Sequence, residues 1–146
     1  MSNDYQPVMS LDELTSYMDS AFPQVNMAGQ HYFIDGLEPG VATMRLETGD
    51  IHLRPGGTVS GPAMFTLADY AAYAVILGHI GPMGLAVTTN LNINFLRKPE
   101  PGTIVARGQL MKLGKRLAVV DIGIFKPDDD DLLAHATATY SIPPKA

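Results

Sequence analysis

Between Gly61 and Leu77 the chain carries one charged side chain, Asp69, in a run otherwise built, apart from Pro62 and Thr66, from alanine, leucine, methionine, valine, isoleucine and aromatic residues. Ser60 stands where a helix N-cap belongs, and Pro62 falls in the first turn, where a missing N–H costs nothing. The spacing therefore predicts a helix over 61–77. A helix that is apolar nearly all round has to be covered on most of its sides. Its longest unbroken apolar stretch, Tyr70 to Leu77, is eight residues, too short to span a bilayer. The cover has to come from the chain itself.

The flanking sequence is suited to provide it. Ser10 and Glu13 form an S-x-x-E capping box ahead of Leu11, Leu14, Tyr17 and Met18, which share one helical face, and Pro23 ends that short helix. From His31 to Glu47 the pattern turns to period two: Ala42, Met44 and Leu46 alternate with Thr43, Arg45 and Glu47 after the turn Glu38-Pro39-Gly40. That is a hairpin with one wet face. Gly78 and Gly81-Pro82-Met83-Gly84 close the apolar helix, and alternation then resumes. Leu91, Ile93 and Phe95 oppose Asn90, Asn92 and Asn94; a hairpin around Leu113-Gly114-Lys115 runs roughly from Thr103 to Phe125; a loop of four aspartates, Asp128 to Asp131, precedes a last strand. In that strand Leu132, Ala134, Ala136, Ala138, Tyr140 and Ile142 alternate with Leu133, His135, Thr137, Thr139 and Ser141. The order is helix, two strands, apolar helix, four strands, an α+β layout in which an antiparallel sheet curls around the central helix.

Length fits one domain over 1–146: an N-terminal helical segment, 1–28, and a core, 29–142. With 46% hydrophobic and 17% charged residues the chain is too apolar for disorder. Met1-Ser2-Asn3-Asp4 lacks the charge and apolar stretch of a signal peptide, and there is no cysteine. A cytoplasmic protein is expected, without disulfides, zinc–thiolate sites, a cysteine nucleophile or a membrane anchor. A net charge of −5 argues against nucleic acid as a partner. That charge is uneven, however. Arg97, Lys98, Arg107, Lys112, Lys115 and Arg116 face only Glu100 within 97–116, so this segment is +5 and the remainder −10. Basic residues at strand ends and a hairpin tip can hold phosphates, or can be ordinary solvated strand faces.

Two features of the apolar helix could carry chemistry. A carboxylate buried there is expensive without partners, and burial would raise its pKa into the range of a general base; otherwise Asp69 faces solvent at an interface. At the helix start, Gly61 permits close approach to the backbone, and the first-turn N–H groups carry the positive end of the helix dipole, the geometry of an oxyanion hole. Pro62 lacks an N–H, so Gly61 and Ala63 would serve; alternatively Ser60-Gly61-Pro62 is only a good helix start. Eight residues at 1.5 Å each put Gly61 and Asp69 about 12 Å apart. One carbonyl cannot reach both in one subunit, so a shared substrate requires a second copy of the helix across a two-fold axis. Other motifs fail. Gly56 and Gly61 have phosphate-loop spacing, but Pro62 and Ala63 stand where Lys and Ser/Thr are needed, and Ser60 lacks the glycines of a nucleophile elbow. His31, His52, His79 and His135 are too scattered to suggest a metal site, with His52 the least implausible site residue among them.

The run Ser60-Gly61-Pro62-Ala63-Met64-Phe65-Thr66-Leu67-Ala68-Asp69, then Asn92-Ile93-Asn94-Phe95-Leu96-Arg97-Lys98-Pro99 and Gly114-Lys115-Arg116, resembles the hotdog-fold thioesterases of the phenylacetate-pathway type. The likeness extends from about His31 to Ile142. It implies a hotdog fold, a curved antiparallel sheet wrapped around a long central helix, and hydrolysis of an acyl-CoA thioester to free acid and CoA. It also implies a homodimer, paired further into a dimer of dimers. No separate cofactor or metal is implied, CoA being part of the substrate. By the same resemblance Gly61 is the backbone donor to the thioester carbonyl, Asp69 the carboxylate that attacks it or activates water, and Tyr73 a hydroxyl near the attacking group. Ser60 stands where the family has His, Arg54 where it has Asn or Gln, and Pro62 where it has a second Gly; these departures leave base and donor intact and alter substrate positioning. Substrate contacts are expected from Arg54, Pro62, Asn92, Arg97, Lys98, Lys115 and Arg116, with segment 97–116 on the CoA phosphates. A thiolate leaves readily, so one carboxylate and one polarising helix end can suffice. A non-catalytic acyl-CoA or acyl-carrier binding module is the alternative, and a dehydratase, whose histidine motif is absent, ranks last.

Overall fold

A computed structural model describes residues 5–144, so the polar stretch Met1–Asp4 lies outside the described residues. Helix α1, Leu11–Ala21, begins at the capping box, with Ser10 Oγ accepting from Glu13 N–H at 3.1 Å and Glu13 Oε1 from Ser10 N–H at 2.8 Å. Its Leu14 and Met18 are buried. Pro23 opens a 3-10 turn, Pro23–Asn26. Strands β1, Tyr32–Glu38, and β2, Val41–Glu47, form the expected hairpin, and Ala42, Met44 and Leu46 of β2 face the core.

Helix α2 runs Gly61–Ile80, three residues past the expected end. Gly78 does not stop it. Its lack of a side chain lets Leu37 of β1 pack against the helix there, the Leu37 Cδ1 lying 2.7 Å from an ideal Cβ position. Gly81, at φ +101°, is the residue that ends the helix. The helix is long and apolar enough by composition to cross a bilayer, and its burial inside the sheet accounts for that character.

Strands β3, Val87–Phe95, β4, Thr103–Leu113, β5, Leu117–Lys126, and β6, Asp129–Ser141, complete one antiparallel sheet ordered β1-β2-β4-β5-β6-β3. It wraps α2 as a hotdog fold, and β1 and β3 are its edges. The inward faces of β4, β5 and β6 carry Ile104, Ala106, Leu110, Val120, Ile122, Ile124, Ala134, Ala136 and Ala138, all at most 2% exposed. The helix approaches closely because Gly108 on β4 lacks a side chain; an ideal Cβ there lies 3.2 Å from the Ala71 carbonyl oxygen.

Two details of the last hairpin differ from expectation. The four aspartates are not all loop: Pro127 and Asp128 make the turn and Asp129 already pairs with Lys126. A bulge between Ile124 and Lys126 then shifts the phase, so Leu133 is buried and Leu132 lies outside over Gly123. A period-two pattern cannot register the extra residues of a bulge.

The C-terminal end of α2 is locked to the first hairpin by His79. Its buried ring accepts from Gly40 N–H at Nε2, 2.9 Å, and donates from Nδ1 to the Val75 carbonyl, 2.7 Å, which fixes the neutral tautomer. Burial holds its pKa below the ordinary value, as it does for His52, whose ring also meets His31 at 4.8 Å between centroids. A depressed folded-state pKa means stability present above the unfolded value of about 6.5 and lost as pH falls below it. Urea denaturation should therefore show wild-type stability dropping between pH 7.5 and 5.5. His79→Ala should cost about 1–3 kcal/mol at pH 7.5 and should show a smaller further loss at pH 5.5.

Candidate active site

Asp69 sits on α2 where the bulged start of β3 meets β6. The bulge between Thr88 and Asn90 leaves Thr88 directly opposite Tyr140, and the two hydroxyls converge on one carboxylate oxygen. Thr88 Oγ1 and the Tyr140 phenol each donate to Asp69 Oδ1 at 2.7 Å, and the phenol oxygen also lies 3.0 Å from the Asp69 carbonyl oxygen. Burial, and then the adjacent carboxylate, push the Tyr140 pKa far above its usual value, so the phenol remains a donor at neutral pH. Asp69 Oδ2 has no hydrogen-bond partner among the described residues. The carboxylate is half-buried rather than fully buried and opens on a cavity of about 330 Å³ walled by Phe22, Tyr70, Tyr73, Ala86, Thr88 and Tyr140.

Tyr73 lines that cavity, but its hydroxyl is occupied: it donates to the Gly84 carbonyl at 2.9 Å, while Gly84 N–H donates to Tyr17. It braces the wall and offers Asp69 no proton. The hydroxyls that do reach Asp69 were not singled out from the sequence. Tyr140 carried a signal, being the one polar tip on the inward face of β6, where a buried phenol needs a partner. Thr88 carried none, since only the bulge aims it at the helix.

The helix start is a separate place. Ser60 Oγ accepts from Ala63 N–H at 3.2 Å and the Ser60 carbonyl from Met64 N–H at 3.2 Å. Ala63 is therefore not available as a second oxyanion donor, contrary to the sequence expectation. Pro62 has no N–H, and Gly61 N–H, with no acceptor among the described residues, is the remaining donor of the first turn. The Phe95 ring packs over this glycine, 3.2 Å from an ideal Cβ, so a side chain here would push the ring aside. Gly61 borders a second cavity, also about 330 Å³, with Arg54, Met64, Phe95, Arg97 and Lys98. Arg54 reaches it from a tight loop closed by Arg54 N–H to Thr58 O at 2.9 Å and turned by Gly56 and Gly57 at φ +101° and +84°. Pro62 faces outward beside Phe65, Ile93 and Phe95.

The basic segment is divided. Arg97 and Lys98 lie by Gly61, whereas Lys115 and Arg116 border a groove with His79 and Ile80 at the far end of α2, about 30 Å away for a 20-residue helix. The hairpin β4–β5 runs the length of the helix, so closeness in sequence does not bring the two pairs to one ligand within a chain. Arg97 is also committed, its Nη2 contacting the Asp131 carbonyl at 2.8 Å and Asp129 at 3.2 Å. Asn92 lies on the exposed face of edge strand β3, with Asn90 Oδ1 at 3.4 Å, and borders none of these cavities. Although His31 and His52 meet, no cluster of three or more metal-ligating side chains occurs among the described residues.

Residues 56–133, more than half of the chain and including both Gly61 and Asp69, match the sequence family described as the thioesterase superfamily. The chain belongs to the thioesterase superfamily. A crystal structure of a Silicibacter protein carrying a thioesterase name is similar to this superfamily member over 96% of both chains, with 47% identity and a TM-score of 0.86. A Saccharolobus solfataricus protein carrying an esterase name is 28% identical over 93% of this chain and 87% of its own length. Zebrafish thioesterase superfamily member 2, 19% identical with a TM-score of 0.79 over 92% of this chain and 99% of its own, shares the fold.

In this superfamily member the geometry gives Ser60 the work of a cap. Ser60→Ala should lower stability by about 1 kcal/mol in denaturant titrations, and Ser60→Asp should restore most of it. A loss well beyond that value would indicate that Ser60 does more than cap.

Proposed function

We propose that this protein is an acyl-CoA thioesterase, of the phenylacetate-pathway type in its motif order, and that its reacting centre is completed by two copies of the chain. The observation that carries this reading is the division of labour along α2. The one free first-turn donor, Gly61 N–H, and the free carboxylate oxygen, Asp69 Oδ2, open on different cavities about 12 Å apart. A thioester carbonyl spans only the reach of one hydrogen bond. A second α2, antiparallel across a two-fold axis, brings the Gly61 of one protomer to the Asp69 of the other. The surface beside Gly61 is suited to that contact, since β3 is an unpaired edge and Phe65 and Phe95 are 40% and 50% exposed.

In this arrangement Gly61 N–H polarises the carbonyl and stabilises the negative charge that develops on its oxygen. Asp69, its Oδ1 held by Thr88 and Tyr140, uses Oδ2 either to take a proton from water, which adds to the carbonyl carbon, or to add itself. In the first case the tetrahedral intermediate expels the CoA thiolate, which recovers the proton from Asp69. In the second, collapse of the adduct breaks the C–S bond and expels the CoA thiolate. Water then hydrolyses the Asp69–acyl anhydride to the free acid and the Asp69 carboxylate, releasing the proton that the thiolate takes up. Arg54 and Lys98, exposed beside Gly61, supply positive charge for the CoA phosphates, and Lys115 and Arg116 could reach the same ligand only from another protomer. A Streptococcus mutans protein, 26% identical over 80% of this chain and 91% of its own with a TM-score of 0.70, has been crystallised with acetyl-CoA, which supports a CoA ester as ligand. A dimer of dimers is part of the same proposal.

The test is CoA release from a panel of acyl-CoAs. Asp69→Ala and Asp69→Asn should each lower kcat by at least about a hundredfold, and Tyr140→Phe by less. Asp69→Ala mixed with Gly61→Val, then dissociated and reassociated, should recover about a quarter of wild-type activity, since half the dimers are hybrids with one intact site. No recovery in verified hybrid dimers would place the reacting centre within one chain, and stabilisation by acyl-CoA without turnover would favour a binding module.

A further inference from the structure

The Asp69 cavity is closed on one side by a residue from outside the helix-and-sheet core. Phe22 is the C-cap of α1, its N–H donating to the Met18 carbonyl at 2.8 Å, and Pro23 follows it, so the backbone there is fixed. Its ring stands edge-to-face against Tyr70, 5.7 Å between centroids at 78°, and against Tyr73, 5.8 Å at 90°. The opposite walls cannot yield, because Tyr73, Ala86 and Tyr140 are 6%, 6% and 2% exposed. Phe22 is only half-buried. A group that enters the cavity past Asp69 and extends toward α1 meets the Phe22 ring.

The wall is held in place as well as shaped. Tyr17 of α1 accepts from Gly84 N–H at 2.9 Å, and the Gly84 carbonyl accepts from Tyr73 of α2 at 2.9 Å, so α1 is tied to the cavity rim through one residue, Gly84. The volume of about 330 Å³ lies at the lower end of small-molecule sites, which run from about 300 to 1,000 Å³. It suits a compact apolar group, with the CoA portion outside.

We propose that Phe22 is the specificity-determining residue of this site, a fixed wall at the end of α1 that restricts the acyl group beside Asp69 to short chains. The proposal rests on the thioesterase reading and assigns the substrate class within it. Removing the ring opens the cavity along α1, and longer chains then gain apolar contact in place of a clash.

The experiment measures kcat/KM for acetyl-, butyryl-, hexanoyl- and decanoyl-CoA with the wild-type protein, Phe22→Ala, Phe22→Leu and Phe22→Trp. Wild type should favour the short chains. In Phe22→Ala the decanoyl-to-butyryl ratio should rise by about tenfold or more, the discrimination a few methylenes provide in an apolar pocket. Phe22→Leu should keep most of the wild-type preference, and Phe22→Trp should move the cutoff to shorter chains. If Phe22→Ala does not fold, the Phe22→Trp cutoff carries the test. A wild-type preference for decanoyl-CoA, or a ratio unmoved in folded Phe22→Ala and Phe22→Trp, overturns the proposal while leaving the thioesterase reading intact. With aryl acyl-CoAs added to the panel, turnover of these alone overturns the proposal, and absence of hydrolysis by wild type across both straight-chain and aryl acyl-CoAs overturns both.

Discussion

A twenty-residue helix with Asp69 as its only carboxylate is stable in water only if something surrounds it, and six strands curled into one sheet do so. The apolar area withdrawn from water supplies the driving force. Close contact depends on small residues where the surfaces meet, with Gly108 on β4 beneath Ala71 and a row of alanines on β6. The cost is that polar groups on the helix are confined to the places the sheet leaves open. His79 is buried only because Gly40 and Val75 partner it, whereas Gly61 and Asp69 occupy two openings, the first turn and the flank beside β3.

The two openings explain why the proposed chemistry can be sparse. A backbone N–H at a helix N-terminus is preorganised by the helix itself and needs no further support. The carboxylate needs more, and the sheet provides it through a cross-strand pair, Thr88 and Tyr140, whose hydroxyls hold one oxygen and leave the other to the cavity. Neither half acts on a carbonyl alone. Separation along a rigid helix makes pairing between protomers a geometric requirement of the proposed reaction.

Helix α1 stands outside this frame and is attached to it by few contacts: Leu14 and Met18 in the core, Tyr17 on Gly84, and Phe22 against Tyr70 and Tyr73. Phe22, unlike Leu14 and Met18, lies outside the fully buried core, so its side chain can change while those two hold the helix in place. It is a suitable place for substrate selection to be set, because a residue at its end shapes the cavity and contributes little to the sheet.

The order of elements, the N-capping of both helices and the antiparallel character of the strands are determined by the sequence alone, because they depend on local periodicity and on residues such as Ser10, Ser60 and Pro62. The importance of Asp69 was also legible, since one carboxylate in an apolar helix stands out against its surroundings. The tertiary structure decided what local pattern cannot encode. It placed Thr88 opposite Tyr140 through a bulge and sent Lys115 and Arg116 to the far end of α2 from Arg97 and Lys98. Each of these depends on strand register or on the length of a rigid element. Register emerges from the packing of whole faces, so residues close in sequence separated here and residues far apart in sequence met on one oxygen atom.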